Sequence, residues 1–489
     1  MRGVCYRDDV VKDTEPSELA RLVLDAFTRR NRDGSTLLGG APYRVLKLSE
    51  RGKGLLDEWL ESRSSSDRHE AASRASQTAL WRQLVDAGLV HPLPAPAERV
   101  TDTAAVIPVL DDVDGLEALL PPLREAMGPD APIVVVDDGS TDQRDIADAA
   151  AKFGAIVLRH EENQGPAVAR NTGWKYLAET SPDVGAIVFI DADVVIEQDA
   201  LLILLGHLEL DPTVGVVAPR VATLPEPSAM HRYELTNSPL DMGSTPARVH
   251  AFARVPFVPS ATILVRTTLL EDIDGFDPDL RVGEDVDLVW RANHVDWSVR
   301  YDPRAVVVHR GRRTLKALMR QRFAYGTSAV QLEDRHPHHV FPVELSIAHT
   351  AIWVSALWGG RRGKLASAIG YVALVAQLGK QLRPTLDDAT VISACVVMET
   401  NRYGLKWLAN AGTRAWAPLL IWNRTTRRCL LAALLGPAVF DWWSQGRLLD
   451  PFRFVFYRAV DHGAYSAGVW DQAQRERSFR ALLPSIRRY

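Results

Sequence analysis

The sequence predicts an α/β fold in which a mostly parallel, doubly wound sheet lies between a small α+β unit and a helical C-terminal region. Three observations predict it. Between residues 102 and 335, short β-branched apolar runs alternate with helical stretches, the pattern of strands joined by crossover helices. Before them, a proline cluster at 92–96 closes a first unit of residues 1–95. After them, residues 336–489 hold broken apolar segments dense in tryptophan. A chain of 489 residues also suits a division into domains of about 150 residues each.

In the first unit, Ser17 reads as the N-cap of a helix over residues 17–31, with Leu19, Leu22, Val23 and Phe27 on one side. Residues 43–48 alternate well enough for a short strand. Ser49 caps a second helix carrying Leu55, Leu56 and Trp59, and residues 80–90 form a third that ends at Gly88. Small helices around a short strand suggest a winged-helix-like module. Pro92, Pro94 and Pro96 read as a semi-rigid linker.

In the middle unit, strands are expected at 104–110, 133–136, 156–158 and 187–190. Open α/β sheets bind ligands beyond the carboxyl ends of their strands, so the acids directly after these runs are the candidate site. In the last unit, residues 345–360, 365–379 and 429–440 are apolar, but Arg361 and Arg362 cut the first short. None of these runs reaches the roughly 18–20 uncharged residues of a secure bilayer span. Eight tryptophans fall here, from Trp353 to Trp470. Two readings stay open: a helical cap packed on the core, or short helices at a membrane surface, where Trp favours the interface and Arg can snorkel.

Charge and cysteine content narrow the functional classes. Lys and Arg number 57 against 61 Asp and Glu, a net charge of −4. That balance lacks the basic footprint of a general nucleic-acid binder, and no nucleic-acid partner is expected. Cys5, Cys395 and Cys429 show no metal-ligand spacing and form no closed disulfide set, which points to a reducing cytosolic setting. The opening MRGVCYRDDVV lacks the apolar stretch of a secretory signal.

Three acidic groups follow the predicted strands. Asp137 and Asp138 come directly after residues 133–136, with Gly139 permitting a sharp turn. Carboxylates there can accept hydrogen bonds from a base or from ribose hydroxyls; an Asx-turn or helix cap would use the same residues. Asp191 and Asp193 follow residues 187–190 on alternate positions, so one can hold a hydroxyl while the other reaches a hard divalent cation. Glu284, Asp285 and Asp287 open another segment. Asp285 is expected at a helix start, where the dipole would keep its carboxylate ionised and its pKa low; plain helix capping stays open as well. Arg170 and Asn171 lie on a glycine-containing loop running into a helix, at residues 163–173.

The order DDGSTD, NQGPAVARNTG, DAD, GFD and GEDVDL resembles the GT-A glycosyltransferases of family 2 over roughly residues 102–325. The resemblance implies a Rossmann-like nucleotide-diphospho-sugar transferase that acts by a single inverting displacement. By matching position, Asp137 and Asp138 would hold the uridine of a UDP-sugar donor, and Arg170 would line the nucleotide pocket. Asp191 would contact ribose or sugar, Asp285 would be the catalytic base, and Glu284 and Asp277 would lie on the acceptor side. Asp193, joined by His309 after a later strand, would ligate Mg2+ or Mn2+. Residues 320–326 resemble the QxxRW motif of processive synthases, so Arg322 would contact diphosphate; the missing tryptophan speaks against long processive polymerisation.

The first unit resembles the small winged helix that recruits precursors of ribosomally made, modified peptides. With it, the whole chain is similar to the mycofactocin-biosynthesis glycosyltransferases of actinobacteria. That likeness implies glucose transfer from UDP-glucose onto mycofactocin or its peptide-derived precursor, building an oligoglucoside. It also implies contact with other biosynthesis proteins or a membrane surface, in the cytoplasm or at the cytoplasmic face of the membrane. The competing readings are a membrane-associated enzyme building cell-wall or extracellular glycan on a lipid, and a catalytically dead scaffold. No motif acid is missing, which weighs against the scaffold.

Overall fold

Short, continuous runs of apolar and β-branched residues form the central sheet. In a computed structural model that describes residues 20–31, 33–61, 79–196, 199–225, 227–311, 314–383 and 389–487, strands Thr103–Val109, Ile133–Asp137, Ile156–Arg159 and Ala186–Ile190 run parallel. They sit within 1–2 residues of their expected bounds. Successive side chains of a strand face opposite ways, and here both faces are apolar. Ala105, Ile107, Val135 and Val188 pack with Leu116 and Leu120 of the Val113–Met127 helix. Val106, Val134, Ile187 and Phe189 pack on the other face with Leu177 of Pro166–Thr180 and Leu288 of Glu284–His294. Helices on both faces are the doubly wound arrangement.

Beyond Ala186–Ile190 the sheet becomes mixed, although most of its described strands still run one way, in keeping with the mostly parallel sheet expected. Thr262–Arg266 runs antiparallel to Ala186–Ile190 and to Val214–Thr223. Val214–Thr223 is parallel to Ser298–His309, which Val194–Ile196 and Ala247–Arg248 join antiparallel. The physical reason lies in the connection. The chain leaves Val214–Thr223 at its carboxyl end and, before Thr262–Arg266, adds to the sheet only the two-residue strand Ala247–Arg248. Thr262–Arg266 enters from the same end and must run back.

The first unit departs from expectation twice. Ala20–Leu24 is a strand, paired antiparallel with Val90–Pro94, and residues 20–31 are not helical; Ser17 and Leu19 lie outside the described residues. Long-range pairing overrides a weak local helix preference here. The segment read as a linker supplies the partner strand. Pro92 and Pro94 occupy alternate positions, so both missing donors fall on one edge and the other edge is left to pair. Ser49 does cap Glu50–Glu61, its hydroxyl accepting from the Gly52 amide at 3.2 Å. Arg29–Arg30, Thr36–Gly39 and Arg44–Lys47 form a three-stranded antiparallel sheet. Leu37, Leu56, Trp81 and Leu84 fill the core, with Trp59 edge-on to Trp81 at 5.1 Å.

The last unit is helical, as expected. Its anchor is the crossing of Leu315–Arg335 with Pro451–Arg475. A Cβ added to Gly326 would lie 2.1 Å from the Tyr465 carbonyl oxygen, and one on Gly468 would lie 2.0 Å from that of Phe323. The backbones therefore touch, and no larger residue fits without moving a helix. Helices Ile347–Trp358, Gly360–Leu382, Ala389–Arg414 and Arg424–Ser444 complete the unit. Among the described residues, no helix is long and apolar enough to cross a membrane.

Candidate active site

The carboxyl ends of the sheet strands open into a cavity of 1110 Å³, walled on its far side by the C-terminal helices. Single-ligand pockets are about 300–1,000 Å³, so this one lies at the upper end of that scale. Its floor is set by a buried cation. Arg170, on the first turns of Pro166–Thr180, donates to Asp191 and to Glu284, each at 2.7 Å. Its guanidinium also stacks 5.4 Å from the centre of the Phe276 ring. Arg170 thereby joins a residue after Ala186–Ile190 to one at the start of Glu284–His294.

The acids around it outnumber it, and their protonation reflects that. Glu284 is buried, and burial together with the neighbouring Asp285 pushes its carboxyl up to about 7 despite Arg170. The Ser260 hydroxyl contributes a further contact to Glu284 at 3.3 Å. Asp285 accepts from the amides of Ser260 at 3.2 Å and Val286 at 2.8 Å. Its pKa is nevertheless raised, because desolvation outweighs those two bonds and the Arg170 charge. This corrects the expectation of a low value set by the helix dipole. Asp191 is raised by burial too, and only partly offset by Arg170. Gly283, at φ 87, caps the Glu284–His294 helix and lets the chain turn so that both acids face the cavity.

On the opposite wall, Val194–Ile196 pairs with the end of Ser298–His309, with Val194 facing His309 in register. This brings the Asp193 carboxylate to 3.2 Å from the His309 Nε2. Both border the cavity. One carboxylate and one imidazole suit Mg2+ or Mn2+ when a diphosphate supplies further oxygens. Among the described residues there is no group of three or more protein ligands that would hold a metal alone.

The other predicted residues are placed differently. Asp137 ends its strand fully buried, accepts from the Ser140 amide at 2.8 Å and pairs with Arg159, and does not border the cavity. A carboxylate in that position needs internal partners, so its expected place against uridine is not where the structure puts it. Asp138 does border the cavity, but its oxygens are engaged by the Gln164 and Gly165 amides at 2.9 and 2.8 Å and by His160 at 2.7 Å. It shapes the loop leading to Arg170. Asp277 is likewise off the cavity, accepting from the Asp279 amide at 2.9 Å and paired with Arg335. Arg322 borders the cavity but is buried, its Nε 3.2 Å from Asp461 and its Nη2 3.6 Å from Glu234.

Sequence reasoning missed the far wall. Asp441 pairs with Arg458 at 2.8 Å and Lys406 at 3.2 Å. Tyr233 donates to Asp461 at 3.1 Å. His462 bonds the Thr413 hydroxyl at 2.7 Å and is held neutral, its pKa lowered to about 2 by burial and by Arg414 and Arg458. Charged residues inside helices resemble a solvated face in sequence; Arg458, Asp461 and His462 within one turn of an aromatic-rich helix were the available signal.

Comparison with known proteins gives four findings. Residues 104–273 match the family model for glycosyl transferase family 2. Over 478 residues the chain is 35% identical to the pre-mycofactocin glycosyltransferase of Mycobacterium tuberculosis, covering 95% of this chain and 97% of that protein. It is 24% identical over 213 residues to a poly-β-1,6-N-acetyl-D-glucosamine synthase of Staphylococcus epidermidis, covering 43% and 50% of the two chains. Among solved structures, a Pyrobaculum calidifontis mannosyltransferase in complex with GDP-Man and Mn2+ aligns over 72% of this chain and 90% of its own, at 17% identity and a TM-score of 0.38.

Proposed function

Because the chain belongs to the pre-mycofactocin glycosyltransferase family and carries a family 2 glycosyltransferase domain, we propose that it moves glucose from UDP-glucose onto a mycofactocin-derived acceptor with inversion. The observation that carries this reading is the convergence of Asp285, the Arg170–Asp191–Glu284 bridge and the Asp193–His309 pair on one cavity.

In the proposed reaction the acceptor hydroxyl attacks the anomeric carbon from the side opposite the diphosphate. The bond from that carbon to the diphosphate oxygen breaks, and its electron pair leaves with UDP. Asp285 takes the hydroxyl proton, and its raised pKa makes it a stronger base than an exposed carboxylate. Arg170 is a positioning residue that fixes Asp191 toward the donor and Glu284 beside the base. A divalent cation held by Asp193 and His309 would supply positive charge where the departing diphosphate gains negative charge. Asp138 sets the nucleotide side through the loop that it anchors.

We assign residues 1–95 to acceptor or partner recruitment, 102–335 to catalysis and 336–489 to completing the cavity. Support for recruitment comes from Arg44–Lys47, an edge strand with Tyr43 and Val45 exposed, an arrangement open to strand addition. The reaction is placed in the cytoplasm or at the cytoplasmic face of the membrane.

The test incubates the purified chain with UDP-glucose, Mn2+ and the mycofactocin aglycone and follows products by mass spectrometry. The expected product carries one or more added hexose residues. Transfer to a lipid alone, with none to the aglycone, would overturn the acceptor. Asp285→Asn should lower kcat by about 10²–10⁴-fold while leaving UDP-glucose binding within about a factor of two of the parent.

A further inference from the structure

A second cavity of 330 Å³ adjoins the first, with residues of Leu315–Arg335, Ala389–Arg414 and Pro451–Arg475 in its wall. Ala329, Val340, Phe341, Asn410, Arg414 and Tyr465 border both cavities, so the smaller one is a side chamber of the active site. Packing holds it close to the base. A Cβ on Gly283 would lie 3.0 Å from the Ser328 Cβ and 3.1 Å from the Leu332 Cδ1. The turn that presents Asp285 therefore rests on Leu315–Arg335, the helix that brings Ala329 to the chamber.

The chamber is braced from outside. The Trp470 indole donates to the Ala415 carbonyl at 2.6 Å, and the Trp416 indole donates to that of Leu482 at 2.8 Å. Glu333 accepts from the His338 and Val340 amides, each at 2.9 Å, which fixes the segment bearing Phe341. Inside, the polar groups keep their capacity. Among the described residues, none forms a hydrogen bond or ion pair with the side chains of Asn410, Arg414 or Tyr465; the Arg414 guanidinium only lies 5.6 Å from the centre of the Tyr465 ring. Elsewhere on this wall Asp441, Arg458, Asp461 and Arg322 are all paired.

These groups define the occupant. An amide, a guanidinium and a phenol hydroxyl offer both donors and acceptors. The rings of Phe341 and Tyr465 and the methyls of Ala411, Ala415 and Ala481 offer apolar surface. A pyranose ring matches both, with hydroxyls around its edge and C–H bonds on its faces. An anion would meet one charge, at Arg414, and an otherwise uncharged wall. Small-ligand pockets run from about 300 to 1,000 Å³, so this chamber is on the scale of a single ring.

We infer that the side chamber binds a hexose of an already glycosylated acceptor, the one directly behind the hexose whose hydroxyl reacts at Asp285. That role rests on the proposed glucose transfer, and it makes the chamber the part of the protein that lets a product grow past two hexoses. Two measurements test it. In the first, parent and variants receive UDP-glucose, Mn2+ and the aglycone, and added hexoses are counted by mass spectrometry. The parent should add three or more. Ala411 borders only the side chamber, so Ala411→Leu should stop its products at two hexoses and keep the first transfer within about twofold of the parent. Asn410→Ala should lower kcat/KM for the dihexosylated acceptor by about tenfold.

In the second, glucose disaccharides of each linkage are titrated calorimetrically into the full chain without aglycone. At least one should bind the parent, and both variants should weaken it by about tenfold. Melting temperatures should match the parent, since Asn410 has no internal side-chain bond to lose and Ala411 borders the cavity. A parent that glycosylates the aglycone but adds no third hexose would overturn the inference. So would product series identical in parent and both variants, or a parent that binds no disaccharide. Inorganic phosphate bound in place of every disaccharide, and lost in Arg414→Gln, would assign the chamber to an anion instead. A parent that leaves the aglycone untouched yet binds a disaccharide that both variants release would overturn the proposed acceptor and uphold the chamber.

Discussion

At the scale of single residues, the site is defined by a shortage of positive charge. One guanidinium serves Asp191 and Glu284 with Asp285 beside them, so burial raises all three carboxyls. The sign of the consequence follows from Glu284, at 4.5 when unperturbed and about 7 in the fold. Between those values the folded protein holds a proton that the unfolded chain has released, so stability falls as pH rises through that window and levels off above it. Glu284→Gln should remove part of this slope, up to about 3 kcal/mol, seen by urea unfolding at pH 5 and pH 8. An unaltered slope would place the excess proton on another group. That Asp191, Asp193, Glu284 and Asp285 come together at one cavity was legible because each follows a strand or opens a helix, and Arg170 was legible from the glycine-containing loop ahead of its helix. Asp137 was misread because two adjacent acids look equivalent in sequence. Only the fold shows that the first still belongs to the strand, beside Arg159, while the second has entered the turn.

At the scale of elements, strands of the parallel half were legible from their β-branched runs, while residues 20–24 and 90–94 were not. Each of those strands exists through the other, and no local periodicity records a partner about seventy residues away. The helix crossing at Gly326 and Gly468 was equally hidden, since a lone glycine inside a helix gives no hint of the backbone against it. Its energetic weight can be measured. Gly468→Ala must push Pro451–Arg475 away from Phe323, and overpacking of this kind costs about 1–3 kcal/mol. A melting temperature equal to that of the parent would mean that the helices slide apart without loss. Gly436→Ala, at a glycine with nothing within 4 Å of the added carbon, is the control and should leave stability unchanged or slightly raised.

At the scale of the whole molecule, the cavity gathers side chains from Pro108 to Tyr465, and its two walls have different chemistry. The sheet side is a set of acids that gain from an incoming cation. The helical side is a closed network in which Asp441 and Asp461 are matched by Lys406, Arg458 and Arg322. Metal dependence should therefore trace to the sheet side alone. Chelation should abolish transfer and added Mn2+ restore it; Asp193→Ala should need more metal for half-maximal rate, whereas Asp441→Asn should leave that requirement as it was. The backbone contact between Leu315–Arg335 and Pro451–Arg475 has a consequence in time. The sheet and its acids leave the ribosome well before Gly468 does, so for that interval the nascent chain carries these carboxylates without the helix that walls them in. Only after Pro451–Arg475 has been made can that helix close over them, so any catalytic competence that depends on this wall comes later than the synthesis of the whole sheet.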